Sequence, residues 1–188
     1  MIKIGITGSL ASGKSTASKI LSYKRGPLFS ADKEVKEIYK DPQFRSLISK
    51  NFKIINNTQL KKSLKKKILT KKENIKKLER LIHPLVRKRM KAFTFRNKNK
   101  KLLFYEIPLL IESKLMKYFN VIIFIKANKK TRLKRFKMKQ GNESLFTMLN
   151  NKQMVDKKKT NFCDHIVVNE KNLNILKKNL YSIIKNYV

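Results

Sequence analysis

The sequence predicts an α/β fold in which a mostly parallel sheet is covered by helices on both faces. Three observations carry this. A strand-like segment at residues 2–7 runs through a glycine-containing turn into a helical pattern that begins near Lys14. Two further apolar runs, 102–107 and 121–125, are continuous rather than alternating, the pattern of strands buried on both sides. Helical patterns separate the strands, and that order favours parallel pairing.

Each element has its own signal. Residues 2–7 (Ile-Lys-Ile-Gly-Ile-Thr) alternate apolar and small side chains and predict the first strand. Ala17, Ile20 and Leu21 recur at helical spacing and predict a helix over 14–24. Gly26-Pro27 is punctuation, and 27–30 predicts a second strand. From Ala31 to about Phe95 no strand pattern occurs. Apolar groups recur there at helical spacing: Val35, Ile38 and Tyr39; Phe44, Leu47 and Ile48; Leu60, Leu64, Ile68 and Leu69; and Ile75 through Val86. Pro42 and Pro84 punctuate this block, which is too long for a simple crossover and reads as an inserted helical subdomain. The lysine-rich pieces 61–67 and 71–77 read as solvated helix faces, and 98–101 as a connector. Pro108 closes the third strand, and Val121-Ile-Ile-Phe-Ile125 is the clearest strand in the chain. A strongly basic helix is expected over 129–139, broken at Gly141-Asn142. A last short strand is expected at 166–168, with an amphipathic helix over 172–187.

A chain of 188 residues is long enough to bury a sizeable core. No apolar stretch approaches the roughly 18 residues of a spanning helix, so no membrane association is expected. The first residues run directly into a motif, so no removable leader is expected. The lone Cys163 excludes an intrachain disulfide or a multi-cysteine metal site and fits a reducing cytosol. Lys plus Arg is 47 against 12 acids, a formal charge of +35. Two readings stand side by side. Such charge can mark a nucleic-acid or membrane surface. It can also follow from compositional drift that enriches Lys, Asn and Ile together, and the lysines are indeed scattered along the whole chain. Aromatic residues make up only 9% and Trp is absent, which offers no stacking platform, so no specific nucleic acid is expected.

The chemistry is concentrated near the start. Gly8-Ser9-Leu10-Ala11-Ser12-Gly13-Lys14-Ser15 matches G-x-x-x-x-G-K-[ST]. A chance match in a chain of this length has a probability on the order of 1%. The motif also follows a predicted strand and opens a predicted helix, as a phosphate-binding loop requires. Glycines let backbone N–H groups converge on phosphate oxygens, and the helix N-terminus adds donors and a positive dipole end. In this pattern Lys14 serves the β- and γ-phosphates of ATP and Ser15 ligates Mg²⁺. Asp32 lies just past the second predicted strand, where a parallel sheet presents its carboxyl ends to a ligand. From position alone two roles are equally open: an acid that takes a proton or holds a metal-bound water, or an N-cap for a helix starting at Lys33.

Together these pieces resemble the dephospho-coenzyme A kinase family. The similar segments run in the family's order: Thr7 to Thr16 around the phosphate loop; Ser30-Ala31-Asp32; Leu81-Ile82-His83-Pro84-Leu85-Val86-Arg87; Ile107-Pro108-Leu109-Leu110-Ile111-Glu112; Leu133-Lys134-Arg135; Gln153-Met154; and Cys163 to Asn169. The resemblance implies a phosphate-loop kinase core with a five-stranded parallel sheet, built from 1–30, 101–131 and 161–188. It also implies a helical coenzyme-binding insertion over 31–100 and a lid over 132–160. The implied reaction is ATP-dependent phosphorylation of the ribose 3′-hydroxyl of dephospho-coenzyme A in the cytoplasm, by a monomer or weak homo-oligomer.

The resemblance carries residue roles as well. Ala11, Ser12, Gly13, Lys14, Ser15 and Thr16 would bind ATP, with Ser15 on Mg²⁺. Asp32 would be the general base, although the family's Asp-Ala-Asp stands here as Ser30-Ala31-Asp32. His83 and Arg87, one helical turn apart, would belong to the substrate-binding insertion, and Arg87 could pair with a substrate phosphate, the alternative being a helix that starts at Pro84. Glu112 would orient substrate or cap a helix. Glu106, where the family often has Asp, is either an outer-sphere magnesium acid or a salt-bridged strand acid. Arg132, Arg135 and Lys139 recur at three- and four-residue spacing, which places them on one face of the basic helix; Arg135 would be catalytic. The family usually has Arg at the last of these positions, so Lys139 lacks the planar fork.

Overall fold

The structure, a computed structural model, describes residues 1–54, 60–70 and 72–188. The predicted lysine-rich face 71–77 begins on Lys71, which lies outside the described residues. The side chain of Leu69 lies outside them too.

Five strands form one parallel sheet: β1 (Ile2–Gly8), β2 (Leu28–Ser30), β3 (Leu102–Glu106), β4 (Val121–Lys126) and β5 (His165–Val168). Their order is β2-β3-β1-β4-β5, and every neighbouring pair is parallel. β1 is central, with Ile4 in register with Phe104 on one side and Val121 on the other. Each strand agrees with its predicted bounds to within one residue; β3 and β4 were readable because strands buried on both faces leave continuous apolar runs.

The chain divides into two compact units, residues 1–30 with 96–188, and residues 31–95. In the first, α1 (Lys14–Ser22) and α9 (Leu173–Ile184) cover one face of the sheet. Ala17, Leu21, Leu176, Leu180 and Ile184 pack there on Ile4, Ile6, Ile123 and Ile125. On Gly5 a Cβ would meet Leu110 Cδ1 at 2.7 Å, so the glycine admits the turn that follows β3. α6 (Lys129–Lys137) starts on Asn128, whose side chain accepts from the Thr131 N–H. α7 (Glu143–Asn151) and α8 (Asp156–Thr160) follow it.

The second unit is helical, as expected: α2 (Ala31–Ile38), α3 (Pro42–Phe52), α4 (Leu60–Thr70) and most of α5 (Lys72–Arg96). Ile38, Phe44, Ile48, Phe52, Leu60, Leu64 and Ile82 form its core. Asp41 caps α3 by accepting from the Gln43 N–H, and Pro42 occupies the first turn, where its missing N–H is harmless. Pro84 departs from expectation: it neither ends nor starts a helix but sits inside α5. Proline removes one backbone hydrogen bond, a cost of about 3 kcal/mol. The apolar stripe of Leu78, Leu81, Ile82, Leu85 and Val86, packed into the core, keeps the helix continuous across it. Among the described residues no helix is long and apolar enough to cross a membrane.

Candidate active site

The phosphate loop leaves the carboxyl end of β1 and opens α1. Gly8 has φ 150°, and a Cβ there would lie 2.4 Å from the Ile125 carbonyl oxygen. Gly13 has φ 96°, and its Cβ would lie 2.2 Å from Asn169 Nδ2. Both glycines are therefore required by conformation and by close approach. Ala11 also adopts a positive φ, 59°, although it is not glycine. Gly13 is the N-cap of α1 and brings no side-chain cap, and no acid occupies the first turn. The start of the helix thus keeps its positive dipole end for an incoming anion. Ser12 Oγ is buried without a hydrogen-bond partner among the described residues. These features fit a loop shaped for phosphate.

Side chains converge on this loop from distant parts of the chain. Lys14 is nearly buried and its Nζ donates to Ser9 O at 2.8 Å. Ser15 Oγ donates to Glu106 Oε1 at 2.5 Å. Glu106 ends β3, is 5% exposed, and has no salt bridge among the described residues, so it is not the salt-bridged strand acid. Arg135 Nη1 donates to Ser12 O at 3.3 Å, and Asn169 Nδ2 donates to the same oxygen at 2.8 Å. Thr16 lies exposed on the first turn of α1.

Arg132 and Arg135 belong to α6, but the helix ends at Lys137. Lys139 lies past it, exposed, so the expected three-residue basic face is reduced to two. The helix stops because Gln140 takes φ 62° and the Gly141 N–H turns back to Phe136 O. Arg132 is turned inward. It donates to Ala127 O, Leu10 O and Asn150 Oδ1, with its guanidinium over the Phe146 ring. Burial lowers its pKa, opposed by Asp156.

Glu112 lies in the turn after β3, not at a helix end. Its Oε1 stands 2.7 Å from Lys159 Nζ and accepts from the Met154 N–H at 3.2 Å. Asp32, His83 and Arg87 lie in the second unit. Asp32 is within the first turn of α2, which starts one residue earlier, so it is not the N-cap of a helix starting at Lys33. Glu34 of α2 pairs with Arg89 of α5 at 3.0 Å, which joins the two helices that carry Asp32 and Arg87. Burial holds the His83 imidazole below its ordinary value, Arg87 acts in the same direction, and Glu79 opposes.

The sequence reading gave no role to Asn169, Gln153, Asp156 or Lys159. Their spacing offers no local signal, since each meets its partner over more than forty residues of chain. Among the described residues no group of three His, Cys, Asp or Glu could hold a metal by itself. A hydroxyl beside one carboxylate suits Mg²⁺, which keeps several waters and takes its other ligands from phosphate.

Comparison with known proteins decides the family. The dephospho-CoA kinase family model matches residues 2–174. A dephospho-CoA kinase of Bartonella quintana is 36% identical over 188 residues, covering 97% of this chain and 96% of its own. The chain belongs to the dephospho-CoA kinase family. A Zymomonas mobilis member is 32% identical, covering 92% of this chain and 90% of its own. Among solved structures, a Thermus thermophilus protein superposes with a TM-score of 0.85 at 23% identity, covering 100% of this chain and 98% of its own. The dephospho-CoA kinase of Campylobacter jejuni gives 0.69 at 24% identity, with 98% and 96% covered. These two likenesses concern the fold, which is the phosphate-loop kinase core expected from the sequence.

Proposed function

We propose that this chain carries out its family's reaction, transferring the γ-phosphoryl group of ATP to the ribose 3′-hydroxyl of dephospho-CoA to give CoA and ADP. The observation that carries the reading is the loop Gly8–Ser15 with Ser15 bonded to Glu106 at the carboxyl edge of the sheet, in a chain of this family. The 3′ O–H bond breaks and its oxygen bonds to the γ-phosphorus. The bond to the β-phosphate oxygen breaks, ADP leaves with the electron pair, and the proton passes to a carboxylate, which we assign to Asp32.

Ala11 through Thr16 hold the phosphates through backbone N–H groups, and Lys14 neutralises the β- and γ-oxygens. Arg135, already bonded to the loop at Ser12 O, stabilises charge on the transferring group. Mg²⁺ would sit on Ser15 with Glu106 accepting from its waters, and it supplies charge neutralisation on the phosphates. Residues 31–100 form the coenzyme-binding insertion, where His83 and Arg87 share one face of α5. A neutral imidazole at His83 can donate or accept, and the Arg87 fork suits a substrate phosphate. Residues 132–160 form the lid. The chain works in the cytoplasm as a monomer or weak homo-oligomer, without a specific nucleic-acid partner.

The test is ADP release in a coupled assay with dephospho-CoA against a panel of nucleosides and nucleotides. Turnover confined to dephospho-CoA is expected. Turnover with the panel and none with dephospho-CoA would overturn the assignment.

A further inference from the structure

One set of part-buried polar contacts is not used by the chemistry above. Gln153 Oε1 accepts from the Leu10 N–H at 3.0 Å, and Asp156 Oδ1 accepts from Ser9 Oγ. Both acceptors come from one short segment at the start of α8, and both donors lie on the rising limb of the phosphate loop. Arg132 donates to Leu10 O on the same limb.

The segment is itself anchored. Lys159 is fully buried, and its Nζ meets Glu112 Oε1 at 2.7 Å. The Met154 N–H donates to that same oxygen. A buried ammonium is tolerated only when it is paired, so Lys159 and Glu112 fix each other, and with them residues 153–159.

We infer that Gln153, Asp156 and the Lys159–Glu112 pair form a clamp that sets the curvature of the phosphate loop for nucleotide. The two donors taken by the clamp, Leu10 N–H and Ser9 Oγ, precede Ala11, so the loop amides from Ala11 onward are not consumed by it. Gln153, Asp156, Lys159 and Glu112 are positioning residues: they act through the loop. Glu112 thereby belongs to the nucleotide side of the reaction. The inference rests on the kinase reading only for the identity of the nucleotide.

The test uses the full chain and a fluorescent, non-hydrolysable ATP analogue, with melting temperature measured alongside. Gln153→Met keeps side-chain length and removes the acceptor for Leu10. Gln153 is half-buried, so this variant folds. Asp156→Ala and Asp156→Asn remove the same charge, but only Asn keeps an oxygen for Ser9, so their difference isolates the hydrogen bond. Gln153→Met weakens analogue binding by about fivefold, the worth of one net hydrogen bond. Asp156→Ala binds more weakly than Asp156→Asn by a similar factor, and acceptor KM stays within about twofold of wild type, because the clamp acts on the loop alone. A fall in melting temperature with unchanged analogue affinity would overturn the clamp and leave only a packing role. The double variant Glu112→Gln/Lys159→Met supplies a second check. A raised acceptor KM with unchanged analogue affinity would return Glu112 to acceptor binding and also overturn the clamp. Analogue binding needs no acceptor, so a wild-type chain inactive on dephospho-CoA would remove the kinase reading while leaving this measurement intact.

Discussion

Gly13→Ala is the most sharply determined perturbation of the loop. Gly13 has φ 96°, a conformation that costs an L side chain about 1–2 kcal/mol. Its new Cβ would stand 2.2 Å from Asn169 Nδ2, far inside contact distance. Asn169 can give way, but only by releasing its 2.8 Å hydrogen bond to Ser12 O, a loss of about 1 kcal/mol. The sum is about 2–3 kcal/mol. At roughly 2–4 °C per kcal/mol for a chain of this size, the melting temperature falls by about 4–12 °C. Nucleotide affinity falls with it, because both changes sit at the N-cap of α1. Asn169→Ala alone should cost about 1 kcal/mol. The double variant should cost little more than Gly13→Ala, since the same hydrogen bond cannot be lost twice, which is a coupling of about 1 kcal/mol. Thermal melts and analogue titrations on the four proteins complete the cycle. A Gly13→Ala protein that melts within about 2 °C of wild type would refute the reasoning, and strict additivity would refute the part assigned to Asn169.

Four further outcomes are expected. Lys14→Ala leaves the fold intact and nearly abolishes phosphoryl transfer, read by ADP release; a folded variant with wild-type turnover would contradict the phosphate-loop assignment. Asp32→Asn lowers kcat by about 10²-fold or more with little change in ATP affinity, because an amide cannot take the proton. If the role of Asp32 were confined to the charge it brings to the first turn of α2, the variant would lose a few tenths of a kcal/mol of stability and keep its kcat. Glu106→Gln is isosteric and can still accept from Ser15 Oγ, so the fold holds while the Mg²⁺ concentration for half-maximal activity rises about tenfold; an unchanged Mg²⁺ titration would remove Glu106 from the metal site. Burial, with Asp164 beside it, pushes the Cys163 thiol up to about 12. The thiol should therefore resist alkylation at pH 8 in the folded chain and react fully in denaturant, and rapid native alkylation would contradict the raised pKa.

Much of this chain was legible one segment at a time. β3 and β4 could be read because burial on both faces demands continuous apolar runs, and Val121-Ile-Ile-Phe-Ile125 satisfies that locally. The phosphate loop could be read because its requirements are also local: two glycines at fixed spacing, a lysine and a hydroxyl at the head of a helix. The resemblance of the remaining segments pointed to the family, which the comparisons established. Helix ends were less legible. A proline is a local stop signal, yet the packed stripe beside Pro84 keeps α5 continuous through it. The reversal at Gln140 releases Lys139 from the face its spacing promised, because a backbone turn rather than side-chain periodicity decided where α6 stops.

What only the tertiary structure decided is the set of partners. Sequence order says nothing about which strand lies beside which, and the order β2-β3-β1-β4-β5 is what carries Glu106 on β3 to Ser15 after β1. Asn169 reaches Ser12 across 157 residues, and Asp156 reaches Ser9 across 147. Nothing in the sequence sets Lys159 apart from its neighbours Lys157 and Lys158, and the fold buries it completely against Glu112. Periodicity reports burial, because burial acts on each residue through its own element. Hydrogen bonds and ion pairs act between elements, so their partners exist only once the sheet has set the distances.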